Sequence, residues 1–206
     1  LYLNGNLINQ VDATNNGNIR MATNAELIIK GNLVNNVLGK PLITTTSLGG
    51  FRFSGANPQT ISGTGLHRYH KLMVNTGTLG GLNLNADIRV RDSLLLQSGN
   101  VALGNHSLDF GGTGILSGET ETRRVFSTGT GYLRAIRFTN MAPVNLGGLQ
   151  ATVSTTFDSV AVLRYHNKYL NVADSSILRN VELTVRNGSG ANAALNFGYF
   201  DAERDG

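Results

Sequence analysis

Two stretches of the chain, LYLNGNLIN at residues 1–9 and LIIKGNLVN at 27–35, carry one pattern twenty-six positions apart. Leu1, Leu3, Gly5, Asn6, Leu7 and Asn9 align with Leu27, Ile29, Gly31, Asn32, Leu33 and Asn35. A looser third copy, Phe51-Arg-Phe-Ser-Gly55, follows about one period later. A repeat in the twenties of residues constrains a fold strongly. A unit that short cannot bury its own apolar face and must stack on its neighbours.

Short strand-like runs follow, separated by Gly, Asn and Thr: KLMVN from Lys71, LNLN from Leu82, IRVR from Ile88, SLLL from Ser93, VAL from Val101 and SLDF from Ser107. Around Asp87 to Arg91, Ile88 and Val90 point one way while Asp87, Arg89 and Arg91 point the other, the period-2 mark of a strand with one buried face. Runs this short do not stand alone. Stacked as coils they share one core, and Asn side chains beside the turns can bond along the stack. Residues 1–118 are therefore predicted to form a parallel β-helix, or β-solenoid. Composition agrees: 26 Gly and 24 Asn supply cheap turns, since both enter positive φ readily. Sparse Glu and Lys amid plentiful Leu, Val, Ile and Thr predict almost no helix.

From about residue 119 the texture changes. Glu119-Thr-Glu-Thr-Arg-Arg124 is the densest charged stretch, and longer runs follow at Tyr132–Phe138, Ala151–Thr155, Val160–Tyr165, Val181–Val185 and Ala194–Phe200. The pattern predicts a linker at 119–131 and an antiparallel β-sandwich-like module, truncated, over 132–206. The chain reads as an internal piece of a longer protein, with any targeting segment outside it.

The net charge of +4 raises the question of nucleic acid. The basic residues are mostly single arginines, however, with Arg123-Arg124 the one adjacent pair, whereas nucleic-acid binders gather charge into a stripe. No nucleic-acid partner is expected. No apolar run approaches the roughly 18 residues needed to span a bilayer, and the absence of Cys excludes disulfides.

Phe53-Ser-Gly-Ala-Asn-Pro-Gln-Thr-Ile-Ser-Gly63, followed by KLMVN and LNLNADIRVRDSLLLQSGNVALGNHSLDF, resembles repeats in large secreted surface proteins of Bacteroidota. The stretches LSGETETRRV (116–125), NLGGLQATVST (145–155), LRYHNKYL (163–170) and ALNFGYFDAE (194–203) resemble the segment that follows such repeats there. YHNKYL departs from the aromatic-Asp-Ile pattern more usual after the Arg-aromatic pair. The resemblance implies extracellular or cell-surface display, export by type IX secretion with the secretion or surface machinery as partner, and adhesin-like or structural roles. It carries no catalytic residues. It also draws attention to Asp92-Ser93-Leu94 and Asp158-Ser159-Val160, which resemble a short O-glycosylation motif of that group.

Candidate chemistry is thin. His67 and His70 lie three apart on one strand and face opposite sides, which does not suit one metal; with His166 they are expected to be exposed or hydrogen-bonded. Parallel β-helices often host polysaccharide lyases and hydrolases, and glycoside hydrolysis needs two carboxyl groups about 5–9.5 Å apart. The acids of the solenoid half are few: Asp12, Glu26, Asp87, Asp92, Asp109, Glu119 and Glu121. Asp87 and Asp92 flank Arg89 and Arg91, which favours ionised, partnered carboxylates, and Glu119 and Glu121 read as part of a solvated linker. Asp201-Ala-Glu203-Arg-Asp205 puts acids on one face and reads as an exposed terminal strand rather than a calcium site. No catalytic, metal or cofactor residues are assigned, and no cofactor is expected. The outward arginines Arg52, Arg89 and Arg91 are the candidate contacts for an anionic polysaccharide. The expectation is a non-enzymatic structural or adhesive module, with a carbohydrate-binding or carbohydrate-active β-helix as the alternative.

Overall fold

A computed structural model describes residues 1–10, 18–43, 46–77, 80–138, 144–154, 158–166, 177–186 and 194–204. The strands in chain order are β1 (Tyr2–Leu3), β2 (Leu7–Asn9), β3 (Glu26–Ile29), β4 (Leu33–Asn35), β5 (Gly50–Phe53), β6 (Gln59–Ser62), β7 (His67–Asn75), β8 (Gly81–Asn85), β9 (Ile88–Ser98) and β10 (Asn100–Ala102). They continue with β11 (Leu108–Asp109), β12 (Ile115–Ser117), β13 (Val125–Phe126), β14 (Tyr132–Phe138), β15 (Val144–Asn145), β16 (Ala151–Ser154), β17 (Ser159–His166), β18 (Arg179–Arg186) and β19 (Ala194–Phe197). The protein is all-β: a parallel β-solenoid of about five turns with an added antiparallel sheet.

Successive coils alternate between two sheets. The first runs β1-β3-β5-β7-β9-β11-β14, the second β2-β4-β6-β8-β10-β13, each strand parallel to the next. The repeat seen in the sequence is the first coil step: Leu3 pairs with Ile29, Leu7 with Leu33 and Asn9 with Asn35. The third copy stacks next, Phe51 on Leu27 and Phe53 on Ile29. Later coils shorten, so that Ile88 pairs with Leu108, twenty residues on. β9 divides its length, its first half pairing with β11 and its second with β12.

The alternation predicted for Asp87–Arg91 is realised, with Ile88 and Val90 buried and Asp87 and Arg89 exposed. Inward Leu27, Phe51, Leu72, Leu94 and Leu116 form one file through the stack. Side chains also bond from coil to coil: Asn9 Nδ2 donates to Asn35 Oδ1 at 2.9 Å, Asn32 N–H to Asn6 Oδ1 at 2.7 Å, and Ser107 N–H to Asp87 Oδ1 at 2.8 Å. Gln59 spans from its own coil to the preceding one, donating to the Ile29 and Gly31 carbonyls.

The change from parallel to antiparallel pairing falls later than the sequence suggested. Within 119–131, β13 is a rung of the second sheet and pairs in parallel with β10. β14 is the last parallel rung of the first sheet. β17 then adds antiparallel to β14, and β18 to β17. β15, β16 and β19 form a separate three-stranded antiparallel sheet. Leu146, Leu149, Ala151, Val153, Val160 and Val162 belong to the same apolar cluster as the solenoid interior. The later strands therefore close the solenoid's core rather than enclosing one of their own. Among the described residues no helix is long and apolar enough to cross a membrane; the single helical element is a 3-10 turn at Asp201–Glu203.

A candidate ligand groove and a buried ion cluster

Of the arginines singled out in the sequence, two are engaged by the fold. Arg52 stands one coil above Glu26 and binds it, Nη2 to Oε1 at 2.8 Å and Nε to Oε1 at 3.0 Å. Arg91 is half-buried and donates from Nη2 to the Ser47 carbonyl at 3.3 Å. Arg89 is presented to solvent, its side chain 50% exposed, with Nε 3.8 Å from Asp109 Oδ2. The three are not gathered into one site. What stands beside Arg89 is Arg68, paired with it in register across β7 and β9.

This pair borders an open groove of about 500 Å³ where the second sheet turns into the first. Arg68, Arg89 and Asp109 line it from β7, β9 and β11, Asn85 from the end of β8, and Asp87 and His106 from the turns that lead into β9 and β11. Asp87, anchored by the Ser107 N–H, lies 3.6 Å from His106 Nδ1. Asp109 is shared, 3.3 Å from Arg134 Nη1 on the following coil. His67 belongs to the same wall and is 2% exposed. Burial lowers its pKa to about 4, partly opposed by the nearby Gly63 and Ser62 carbonyls. The ring is thus neutral at physiological pH, with Nδ1 3.2 Å from Tyr69 Oη. His67 is therefore buried in the core, contrary to the exposed alternative, while His70 is half-buried. Among the described residues no group of three or more His, Asp or Glu is placed to hold a metal ion.

The acids of 119–121 and 201–203 correct the sequence reading. Glu119 is not part of a solvated linker: its carboxylate meets Arg164 in two bonds of 2.7 Å, with side chains 3% and 0% exposed. Burial alone would raise its pKa, but the Arg164 charge and hydrogen bonds and the Val125 N–H outweigh it and hold the carboxyl ionised. Glu203 is not on an exposed strand. It sits in the 3-10 turn, 1% exposed, accepting from Arg179 Nη2 at 2.8 Å and lying 2.9 Å from His166 Nε2. Burial pushes it up, yet His166, the Phe200 N–H and Arg179 together bring it to about 2. Burial likewise lowers His166, against the pull of Glu203. Glu121 is exposed, but its two oxygens take the Asp201 and Ala202 N–H groups at 3.0 and 3.1 Å. Asp205 lies outside the described residues, as does Asp12.

These contacts join GETETRR, LRYH and FDAE into one latch. The sequence carried a signal for the burial of Arg164 and His166, though not for their partners. Val160, Val162, Arg164 and His166 share one strand face by period 2, so burial of the valines buries the Arg and His as well. Of the two Asp-Ser motifs, Ser159 is 7% exposed within β17, and Ser93 is half-buried with Oγ donating to Asp92 Oδ2 at 3.1 Å. Comparison with protein-family models, with curated proteins and with solved structures returned no match.

Proposed function

We propose that this chain is a non-enzymatic, rigid structural or adhesive module of a larger bacterial cell-surface or secreted protein, exported by type IX secretion. The observation that carries the reading is how polar side chains are used. Glu26–Arg52, Asn9–Asn35 and Asp109–Arg134 each link one coil to the next. Side chains on an enzyme's surface would converge on a substrate; these stiffen the stack along its axis. The latch extends the same bonding past the last coil. Export and display follow from the resemblance of the quoted stretches to Bacteroidota surface proteins.

The test is labelling of intact cells that make the full-length protein with a membrane-impermeant amine reagent. Lys30 and Lys40 are exposed and should be modified without lysis; modification only after lysis would contradict display. Deleting 119–206 from the full-length protein should alter export if that region is read by the secretion machinery. A second reading, carbohydrate binding, is favoured by one observation: the groove lined by Asn85, Asp87, Arg89 and His106.

A further inference from the structure

The groove presents a charge arrangement that the fold itself does not need. Arg68 and Arg89 are Cα partners on neighbouring parallel strands, where rungs are about 4.8 Å apart. Like charges side by side on adjacent strands are destabilising. Arg52, by contrast, is matched with a carboxylate one coil away, Glu26. Here the row reads Arg68, Arg89, Asp109, Arg134. The one carboxylate in the row is shared between Arg89 and Arg134 at 3.8 and 3.3 Å. Arg68 is exposed and has no carboxylate partner among the described residues. The turns that border the groove add groups of another kind: the Asn85 amide, the Asp87 carboxylate and the His106 ring. These suit neutral hydroxyls, as donors and acceptors.

We propose that this groove is a binding site for an acidic polysaccharide, with one carboxylate or sulfate group bridging Arg68 and Arg89 and sugar hydroxyls meeting Asn85, Asp87 and His106. Two guanidinium groups one rung apart give a planar, multi-donor grip on a single anionic group. Nucleic acid fits less well. Its affinity comes from many phosphates met by a continuous cationic track, whereas this pair is isolated and shares its groove with two carboxylates, Asp87 and Asp109. The inference rests on the adhesive reading above and names its ligand class, and it adds Arg68, which stands beside Arg89 only because the intervening coil is twenty-one residues long.

The experiment is titration calorimetry of the chain with four probes: polygalacturonate, chondroitin sulfate, neutral dextran and single-stranded DNA. Binding of polygalacturonate or chondroitin sulfate, and not of dextran, is expected, and comparison of the two acidic arms identifies the preferred group. Arg68→Ala and Arg89→Ala should each weaken binding about ten-fold or more, in line with loss of one charge-assisted contact. Arg68→Lys should recover only part of the loss, and Lys30→Ala on a distant coil should change nothing. All three sites are exposed, and unaltered circular dichroism verifies folding. Equal losses from Lys30→Ala and Arg68→Ala would mean diffuse attraction and overturn the site. Tighter binding of DNA, or equal binding of dextran, would overturn the ligand class. Binding of an acidic glycan that ignores Arg68 and Arg89 would overturn the site while leaving the adhesive reading intact; absence of binding to every probe would overturn the inference and the polysaccharide reading together, leaving only the structural role.

Discussion

Replacing Glu119 with Gln would leave the Arg164 guanidinium buried with no carboxylate. The pair is bidentate at 2.7 Å with side chains 3% and 0% exposed, so solvent cannot make up the loss. Removing one member of a buried ion pair costs about 3–5 kcal/mol, because the other charge remains desolvated. Gln retains an oxygen for the Val125 N–H, which Glu119 Oε1 accepts at 2.9 Å, so the loss isolates the charge. For a chain of this size the melting temperature should fall on the order of 10 °C. Arg164→Met alone should cost a similar amount by stranding the carboxylate. The double variant should lie within about 2 kcal/mol of the parent, since it leaves no buried charge unpaired. The assay is urea denaturation of all four proteins, read as a double-mutant cycle. A cost for Glu119→Gln below about 1 kcal/mol, the range of exposed pairs, would refute the burial on which this reasoning depends.

Acid should weaken the fold in two stages. His67, held to about 4 by burial against 6.5 in the unfolded chain, stays neutral while the unfolded form protonates; its contribution is complete above about pH 6.5 and drains by about 3 kcal/mol as pH falls to about 4. Glu203, lowered from 4.5 to about 2, contributes above about pH 4.5 and loses about 3 kcal/mol as pH falls through 2. Denaturation measured across pH should show both limbs, and His67→Asn should reduce the upper one, leaving the part contributed by His166, which burial also lowers; an unchanged upper limb would contradict the assignment. Asn35, fully buried, accepts from Asn9 and donates to the Lys40 and Leu66 carbonyls, so Asn35→Ala should cost about 2–3 kcal/mol through stranded buried carbonyls. Gly148 has φ +74° and a Cβ there would overlap the Leu116 carbonyl oxygen; Gly148→Ala should destabilise by more than 1 kcal/mol in the same assay.

How much of this was legible depended on distance along the chain. The coil step was written in residues 1–35, because stacked rungs impose the same inward positions on each copy. Ile88 and Val90 were readable as buried from five residues alone. The latch was not, because its halves are remote: Glu119 meets a residue forty-five positions on, and Glu121 meets Asp201 eighty on. Without those partners a run such as GETETRR has the composition of a solvated turn. The arginines divide in the same way. Period 2 identified Arg52, Arg89 and Arg91 as outward, but which of them faces a carboxylate depends on coil length, and coil length varies from twenty-six to twenty residues between Tyr2–Ile28 and Ile88–Leu108. Tyr132–Phe138 shows the same limit. Its alternation fits a parallel rung as well as a sandwich strand, and only the pairing with β11 distinguishes them.

The central claim is that coils stack in parallel at one rung per turn, and distances along a single row test it directly. Tyr2, Ile28, Arg52, Met73, Leu95 and Ser117 stand in register through β1, β3, β5, β7, β9 and β12. The chain has no native Cys, so spin labels can be placed at Tyr2→Cys with Ser117→Cys and at Arg52→Cys with Ser117→Cys. At about 4.8 Å per rung the Cα separations are about 24 Å and about 14 Å, and the label–label distances from pulsed electron paramagnetic resonance should differ by about 10 Å. Two distances that fail to scale with the number of intervening coils would contradict the solenoid.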